Sequence, residues 1–229
     1  MTPTPYYQDS HCTIYLGDCL EIMPQLEPVD LVVTDPPYFQ PSQTSAGSRD
    51  NPYKKSLGDM SIFKTAFDVY CGLISQCLNE KGSLYMMCDS QSYPFLYQCC
   101  YPLFKNVRLL IWDRTTSYNG YTWRRQHELI LWADKDKAER IPTGDGDIIK
   151  CPAVKQEDRT YAVQKPIKLM EKIIFKHSSA ATILDAFMGS GTTLIAAKQL
   201  NRKATGIEIE EKNCEIAVRR LAQEVINFT

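Results

Sequence analysis

The chain has 229 residues, 44% hydrophobic and 23% charged, with a formal net charge of −1. These values exclude a disordered chain and a uniformly basic DNA-coating protein, and the length supports one sizeable core or a core with a small insert. Nine cysteines form no CxxC pair, and only three histidines exist (His11, His127, His177), so reduced, buried thiols and no metal are expected.

No apolar run in the sequence is long enough to span a bilayer, and MTPTPYYQDSHC has no signal-peptide core, so the expectation is a cytosolic protein without a membrane partner. The first strand is predicted at Thr13–Leu16, and Gly17-Asp18 leads into a short helix over 19–26, shortened by Pro24. Val29–Thr34 (VDLVVT) is a near-continuous apolar run, as expected of a buried parallel strand. Residues 39–60 are polar and rich in Gly, Pro and Ser; they read as a long loop, mobile without a ligand. Ser61 suits an N-cap, Phe63, Phe67, Tyr70 and Ile74 follow a helical stripe, and Gly82 suits a left-handed stop. Ser83–Cys88 reads as a strand, 92–103 as a helix, and Val107–Trp112 and Glu128–Trp132 as two more strands. Residues 133–163 show no strong period and read as a small irregular insert. Pro166 opens a helix carrying Ile167, Met170 and Ile174 on one face. A strand at Thr182–Asp185, a helix at Thr192–Leu200, a strand at Ala204–Ile209 and a helix at Glu210–Ile226 complete the chain. Strand alternating with helix predicts an α/β domain with a parallel sheet.

Three constellations carry chemistry. The first is Asp35-Pro36-Pro37-Tyr38, directly after the buried strand. A given tetrapeptide turns up by chance in a chain this size about once in a thousand, and parallel-sheet sites lie outside the carboxyl ends of strands. Two prolines stiffen the turn, the Asp35 carboxylate and the Pro36 carbonyl can each accept one N–H of an exocyclic amine, and Tyr38 offers a flat face for stacking. An amine conjugated to an aromatic ring is a poor nucleophile. Holding both its hydrogens favours a pyramidal nitrogen with a free lone pair, so alignment and electrostatics supply the acceleration.

The second is Asp185-Ala186-Phe187-Met188-Gly189-Ser190-Gly191-Thr192-Thr193, between a predicted strand and helix. Its glycines permit a tight turn and close ligand approach, but GxGxxG is incomplete and no Walker lysine follows. The third is Glu208, at the end of the next strand. An acid about twenty residues beyond such glycines suits ribose hydroxyls. Arg49, Lys54, Lys55, Arg114, Arg124 and Arg125, interleaved with Tyr53, Tyr118, Tyr121 and Trp123, form a candidate patch for phosphate contact and base stacking.

The pair DPPY and DAFMGSGTT resembles the amino-group DNA methyltransferases that use S-adenosylmethionine, and the order, catalytic motif first, is similar to their circularly permuted β group. The resemblance covers about 12–220. It implies a Rossmann-like, seven-stranded, mostly parallel sheet with helices on both faces. One catalytic domain, 1–229, then divides into a catalytic half at about 12–132, a short target-recognition insert at about 133–163 and a cofactor half at about 164–226. It also implies S-adenosylmethionine as cofactor, DNA as partner and adenine N6 as acceptor after base flipping. The implied catalytic residues are Asp35, Pro36, Pro37 and Tyr38. The implied cofactor residues are Asp18 (near the adenine), Lys165 in Gln164-Lys165-Pro166, Asp185, Phe187, Gly189, Ser190, Gly191, Thr192 and Glu208 (the ribose acid). Asn213 stands where the family often has Tyr, and the insert is short for a target-recognition region. Alternatives are cytosine-N4 methylation, which in this family more often goes with Ser in place of Asp35, and a non-catalytic DNA-binding relative. The compact chain reads a short site or works as a homodimer, by analogy with relatives that pair through the cofactor side.

Overall fold

The computed structural model describes residues 3–39, 60–116, 122–136, 138, 140–159, 164–178 and 181–226. The strands are β1 (Tyr7–Gln8), β2 (Cys12–Leu16), β3 (Val29–Thr34), β4 (Leu78–Cys88), β5 (Asn106–Asp113), β6 (His127–Asp134), β7 (Ile148–Lys150), β8 (Ile183–Asp185) and β9 (Ala204–Glu208). The helices are α1 (Cys19–Ile22), α2 (Met60–Cys77), α3 (Tyr93–Cys100), α4 (Ile167–Phe175), α5 (Thr192–Gln199) and α6 (Glu211–Ile226).

The described strands form one nine-stranded sheet in the order β1-β2-β9-β8-β3-β4-β6-β5-β7. The pairs β2–β9, β9–β8, β8–β3, β3–β4 and β5–β7 are parallel; β6 runs against β4 and β5, and β1 against β2. The sequence pattern gives seven strands. The two additional ones are short edge strands, β1 with two residues and β7 with three, too brief to leave a period. β7 lies in the stretch 133–163 and docks it onto β5, with the Trp112 indole donating to the Cys151 carbonyl at 2.7 Å.

The sheet is covered on both faces, which is why β3 reads as a continuous apolar run. From Leu31 on, successive residues alternate sides: Val32 joins one core with α2 and α3, Leu31 and Val33 the other with α4, α5 and α6; Val29, before the register shift at Val29/Leu31, lies on the Val32 side. The α2 stripe is buried as its spacing predicts, with Phe63, Phe67, Tyr70 and Ile74 all inside. Each such buried side chain contributes roughly 1.5–3 kcal/mol.

Two boundaries differ from the sequence reading. Helix α2 begins at Met60, so Ser61 lies inside it rather than capping it. Gly82 does not end that helix in a left-handed turn: it lies within β4 and has no positive φ. The β3–β4 register passes from Val29↔Leu78 to Leu31↔Ser83, so 79–82 form a bulge. A Cβ at Gly82 would stand 2.8 Å from Leu78 and 2.9 Å from the Asn79 carbonyl, and close backbone approach explains the glycine. All nine cysteines are free and buried.

Candidate active site

The strand order sets the site. β8 and β3 are parallel neighbours, yet the chain leaves β3 toward β4 and leaves β8 toward β9, on the other side. This is a topological switch point, where a crevice opens outside the carboxyl ends. Asp35 follows β3 and Asp185 ends β8, so the proline turn and the glycine turn stand side by side although 150 residues of sequence separate Asp35 from Asp185. β2 and β9 continue the row, bringing Asp18 and Glu208 to the same edge, with Leu16 paired to Glu208.

The proline turn is anchored from behind. The Phe39 N–H donates to the buried Ser92 Oγ at 2.8 Å, and the Phe39 ring packs edge-on against Phe63, centroids 5.4 Å apart. Pro36 is buried and Pro37 exposed. The Tyr38 hydroxyl turns inward and donates to Asp35 Oδ1 at 2.7 Å, with Glu128 Oε2 at 3.4 Å. Burial first, then the Asp35 and Glu128 charges, push that phenol well above its ordinary range, so it stays a donor. The stacking face expected of Tyr38 is thus on a half-buried ring whose hydroxyl orients the carboxylate.

The structure places Lys165 at this turn. Its Nζ lies 2.5 Å from Asp35 Oδ2, 3.5 Å from Glu128 Oε2, 3.3 Å from the Tyr38 hydroxyl and 5.5 Å from the Tyr38 ring centre. Burial works to lower the ammonium's pKa, but the Asp35 and Glu128 carboxylates outweigh it and the net shift is upward. Lys165 is therefore a fixed cation. The sequence resemblance implies a cofactor contact for Lys165; here its ammonium is paired with Asp35 and Glu128.

Arg114 differs from its expected role. It is 2% exposed, and its Nη1 pairs with Glu128 at 3.1 Å while Nη2 donates to the Arg125 carbonyl at 2.9 Å. There it ties the Arg125 carbonyl to Glu128. Arg124 and Arg125 are exposed, beside Trp123 at 94% exposure. Arg49, Lys54 and Lys55, and the expected mobile loop, lie outside the described residues apart from Phe39 and Met60. Arg114 also lines a cleft of about 350 Å³ with Thr116, Ala153, Val154, Lys155 and Arg159.

The glycine turn is shaped by groups that face inward. Asp185 is buried, accepting from the Thr193 hydroxyl at 2.6 Å and the Phe187 N–H at 3.2 Å. Burial raises its carboxyl to about 7, against those hydrogen bonds. Arg220 Nη1 donates to the Ser190 carbonyl at 2.6 Å, to Ser190 Oγ at 2.8 Å and to Thr192 Oγ1 at 3.3 Å. Ser190, Thr192 and Asp185 thus hold the loop's shape. Gly189 and Gly191 have φ of 51° and 79°, and a Cβ on Gly191 would stand 2.9 Å from that of Ala217. Phe187, Gly189, Asp18 and Glu208 remain half-buried toward the crevice. Glu208 accepts the Gly189 N–H on Oε2 and the Glu210 N–H on Oε1, which leaves each oxygen a second lone pair for a hydroxyl. Asp18 caps α1, accepting from the Leu20 N–H at 2.9 Å. A glycine turn, an aromatic face and two carboxylates along one edge fit a nucleoside with a compact polar tail.

Glu128 and Arg220 have no sequence signal of their own. Glu128 sits in an ordinary strand pattern, and only the β4–β6–β5 pairing brings it to Tyr38. Among the described residues, no group of three metal-ligating side chains occurs, and no helix is long and apolar enough to cross a membrane.

A family model described as DNA methylase matches residues 29–219. The chain is 26% identical over 249 residues to the Type II methyltransferase M.HinfI of Haemophilus influenzae, covering 92% of this chain and 68% of that one. The crystal structure of the M1.HpyAVI–SAM complex superposes with a TM-score of 0.69 at 26% identity, covering 92% of this chain and all of that chain. The PvuII DNA methyltransferase, cytosine-N4-specific, superposes at 0.74 over 96% of each chain; at 15% identity this likeness speaks to the fold.

Proposed function

The chain belongs to the DNA methylase family, and from that premise we propose that it methylates the N6 amine of adenine in DNA, taking the methyl group from S-adenosylmethionine. The observation that supports this reading most directly is the adjacency of the two turns: a rigid amine-accepting bend after β3 beside a glycine turn after β8. Type II methyltransferases and a SAM-bound enzyme among its relatives support the substrate and the cofactor.

When bound, S-adenosylmethionine supplies an electrophilic methyl group on a sulfonium sulfur. Phe187, Gly189 and Gly191 would give it close approach, and Glu208 and Asp18 would accept hydroxyl and adenine-side donors. Asp35 and the Pro36 carbonyl would accept the two hydrogens of the target amine. Tyr38 donates to Asp35 Oδ1, which leaves that oxygen a second lone pair for the amine. No strong base is needed, because the amine gains nucleophilicity from its geometry. Arg124, Arg125 and Trp123 would meet the DNA backbone and bases beside the extruded nucleotide.

A second copy of the chain is part of this reading. Leu16, Leu20 and Ile209 stand exposed at the carboxyl ends of β2 and β9, and Tyr6 lies beside β2. Light scattering at micromolar concentration should return twice the chain mass; a strict monomer on and off DNA removes the dimer.

The decisive experiment incubates the purified chain with methyl-labelled S-adenosylmethionine and unmethylated genomic DNA, then digests to nucleosides for mass analysis. N6-methyladenine is expected. N4-methylcytosine would move the acceptor to cytosine, and absence of label in any polynucleotide would overturn the reading.

A further inference from the structure

Asp35 and Lys165 lie 130 residues apart in the sequence and meet at 2.5 Å. Four charged side chains alternate around this point: Asp35, Lys165, Glu128, Arg114. They cancel in sum, and the Tyr38 hydroxyl sits among the first three. The Lys165 side chain is 10% exposed, so its ammonium has little access to water as an alternative partner. A cation held there by two carboxylates is not free to serve a ligand at the glycine turn.

Resting on the methyltransferase reading of the site, we infer that Lys165 is a positioning residue for the target amine: with Tyr38 it holds the Asp35 carboxylate, and it keeps Asp35 and Glu128 from opposing each other across the catalytic turn. Tyr38 donates to Oδ1 and Lys165 to Oδ2, so both oxygens are fixed from the protein side. Each keeps a lone pair for an incoming N–H. Without the ammonium, two carboxylates would share one hydroxyl, and like charges that close raise each other's proton affinity. A protonated Asp35 would lose its acceptor-only character, and an unanchored one would lose its direction. Glu128 is the second anchor of the lysine and is itself held by the buried Arg114. Among the described residues, the other titratable groups facing this point are Cys88 at the end of β4 and Asp185 at the end of β8. Burial pushes the Cys88 thiol up to about 12, which leaves it uncharged. Asp185 faces Asp35 as another acid.

The test compares Lys165→Met, Lys165→Arg and Glu128→Gln with the parent enzyme. Each is measured for S-adenosylmethionine affinity by calorimetry and for kcat against pH at saturating cofactor and DNA. Lys165→Met should cut kcat by about a hundredfold and leave cofactor affinity within about threefold, since no cofactor contact is lost. Its acid limb in the kcat–pH profile should lie above the parent's. Lys165→Arg, which keeps a cation, should recover about tenfold of the loss. Glu128→Gln, which removes one of the two carboxylates, should move the acid limb the opposite way. A tenfold or greater loss of cofactor affinity in Lys165→Met with kcat preserved would return the residue to the cofactor and overturn the inference. So would a profile and kcat unchanged in all three variants, or a kcat loss that follows a fallen Tm with no movement of the acid limb. Asp35→Ala separates the two failures: if it is inactive while Lys165→Met is normal, only the role of Lys165 falls; if it keeps full activity, the reading of the site falls with it.

Discussion

Arg220 reaches from α6 to the glycine turn, its Nη1 donating to both the carbonyl and the hydroxyl oxygen of Ser190. The guanidinium is buried, and it ties the last helix to the segment between β8 and α5. The loop geometry thus depends on a side chain 30 residues downstream. Arg220→Met keeps most of the packing and removes the donors. It should lower S-adenosylmethionine affinity by about tenfold and stability by about 1–3 kcal/mol. Calorimetry and urea unfolding read the two effects; unchanged cofactor affinity would detach Arg220 from the loop.

Gly191 makes the same turn vulnerable from the backbone. Its φ of 79° strains any other residue, and a Cβ there meets Ala217 at 2.9 Å. Gly191→Ala should cost about 1–3 kcal/mol, and Gly191→Val should abolish cofactor binding. The check is thermal unfolding with and without S-adenosylmethionine: the parent Tm rises with ligand and that of the valine variant does not.

Two buried groups set opposing pH dependences of stability. Burial holds Asp185 protonated up to about 7, above its unfolded value, so its contribution is full below about pH 4 and is lost as pH rises to about 7. Burial, aided by the Arg140 charge, holds the His177 imidazole down to about 4, below its unfolded value. Its contribution is full above about pH 6.5 and is lost as pH falls toward 4. The windows overlap, so the parent profile shows only their difference. Asp185→Asn should expose the histidine limb: relative to the parent, this variant gains a few kcal/mol between pH 4 and 7. Urea titrations at pH 4.5, 5.5 and 7 test this, and parallel curves would contradict it.

The arginines of the β5–β6 connection should separate by burial. Arg124→Ala and Arg125→Ala should weaken DNA binding and each reduce the slope of log K against log salt by about 1. Arg114→Ala should instead destabilise the fold by about 3–5 kcal/mol, because it leaves Glu128 short of a partner. Salt-dependent binding and urea unfolding distinguish them. An Arg114→Ala protein of parental stability with a reduced salt slope would restore the phosphate role.

Much of the architecture was legible from local pattern. VDLVVT announces a strand buried on both sides, the Phe63–Ile74 stripe announces a helix with one apolar face, and each chemical motif sits where a strand gives way to a turn. β1 and β7 were not legible, being two and three residues long and recruited by neighbours already in place. Gly82 misled because a glycine after a helical stripe is a common stop, whereas here the close approach of Leu78 and the Asn79 carbonyl within a bulge requires it.

By itself the sequence determined the fold class, the proline and glycine turns and the acids that accompany them, because these depend on residues next to one another along the chain. Tertiary structure alone decided that Lys165 pairs with Asp35, that Arg114 is buried against Glu128, and that Arg220 bonds to Ser190. Those pairings depend on strand order and on how far a long side chain extends across the carboxyl edge of the sheet. A charged residue has the same one-dimensional appearance whether it meets solvent or a buried partner; the cost of leaving its charge unpaired in the interior selects the partner only once the strands are side by side.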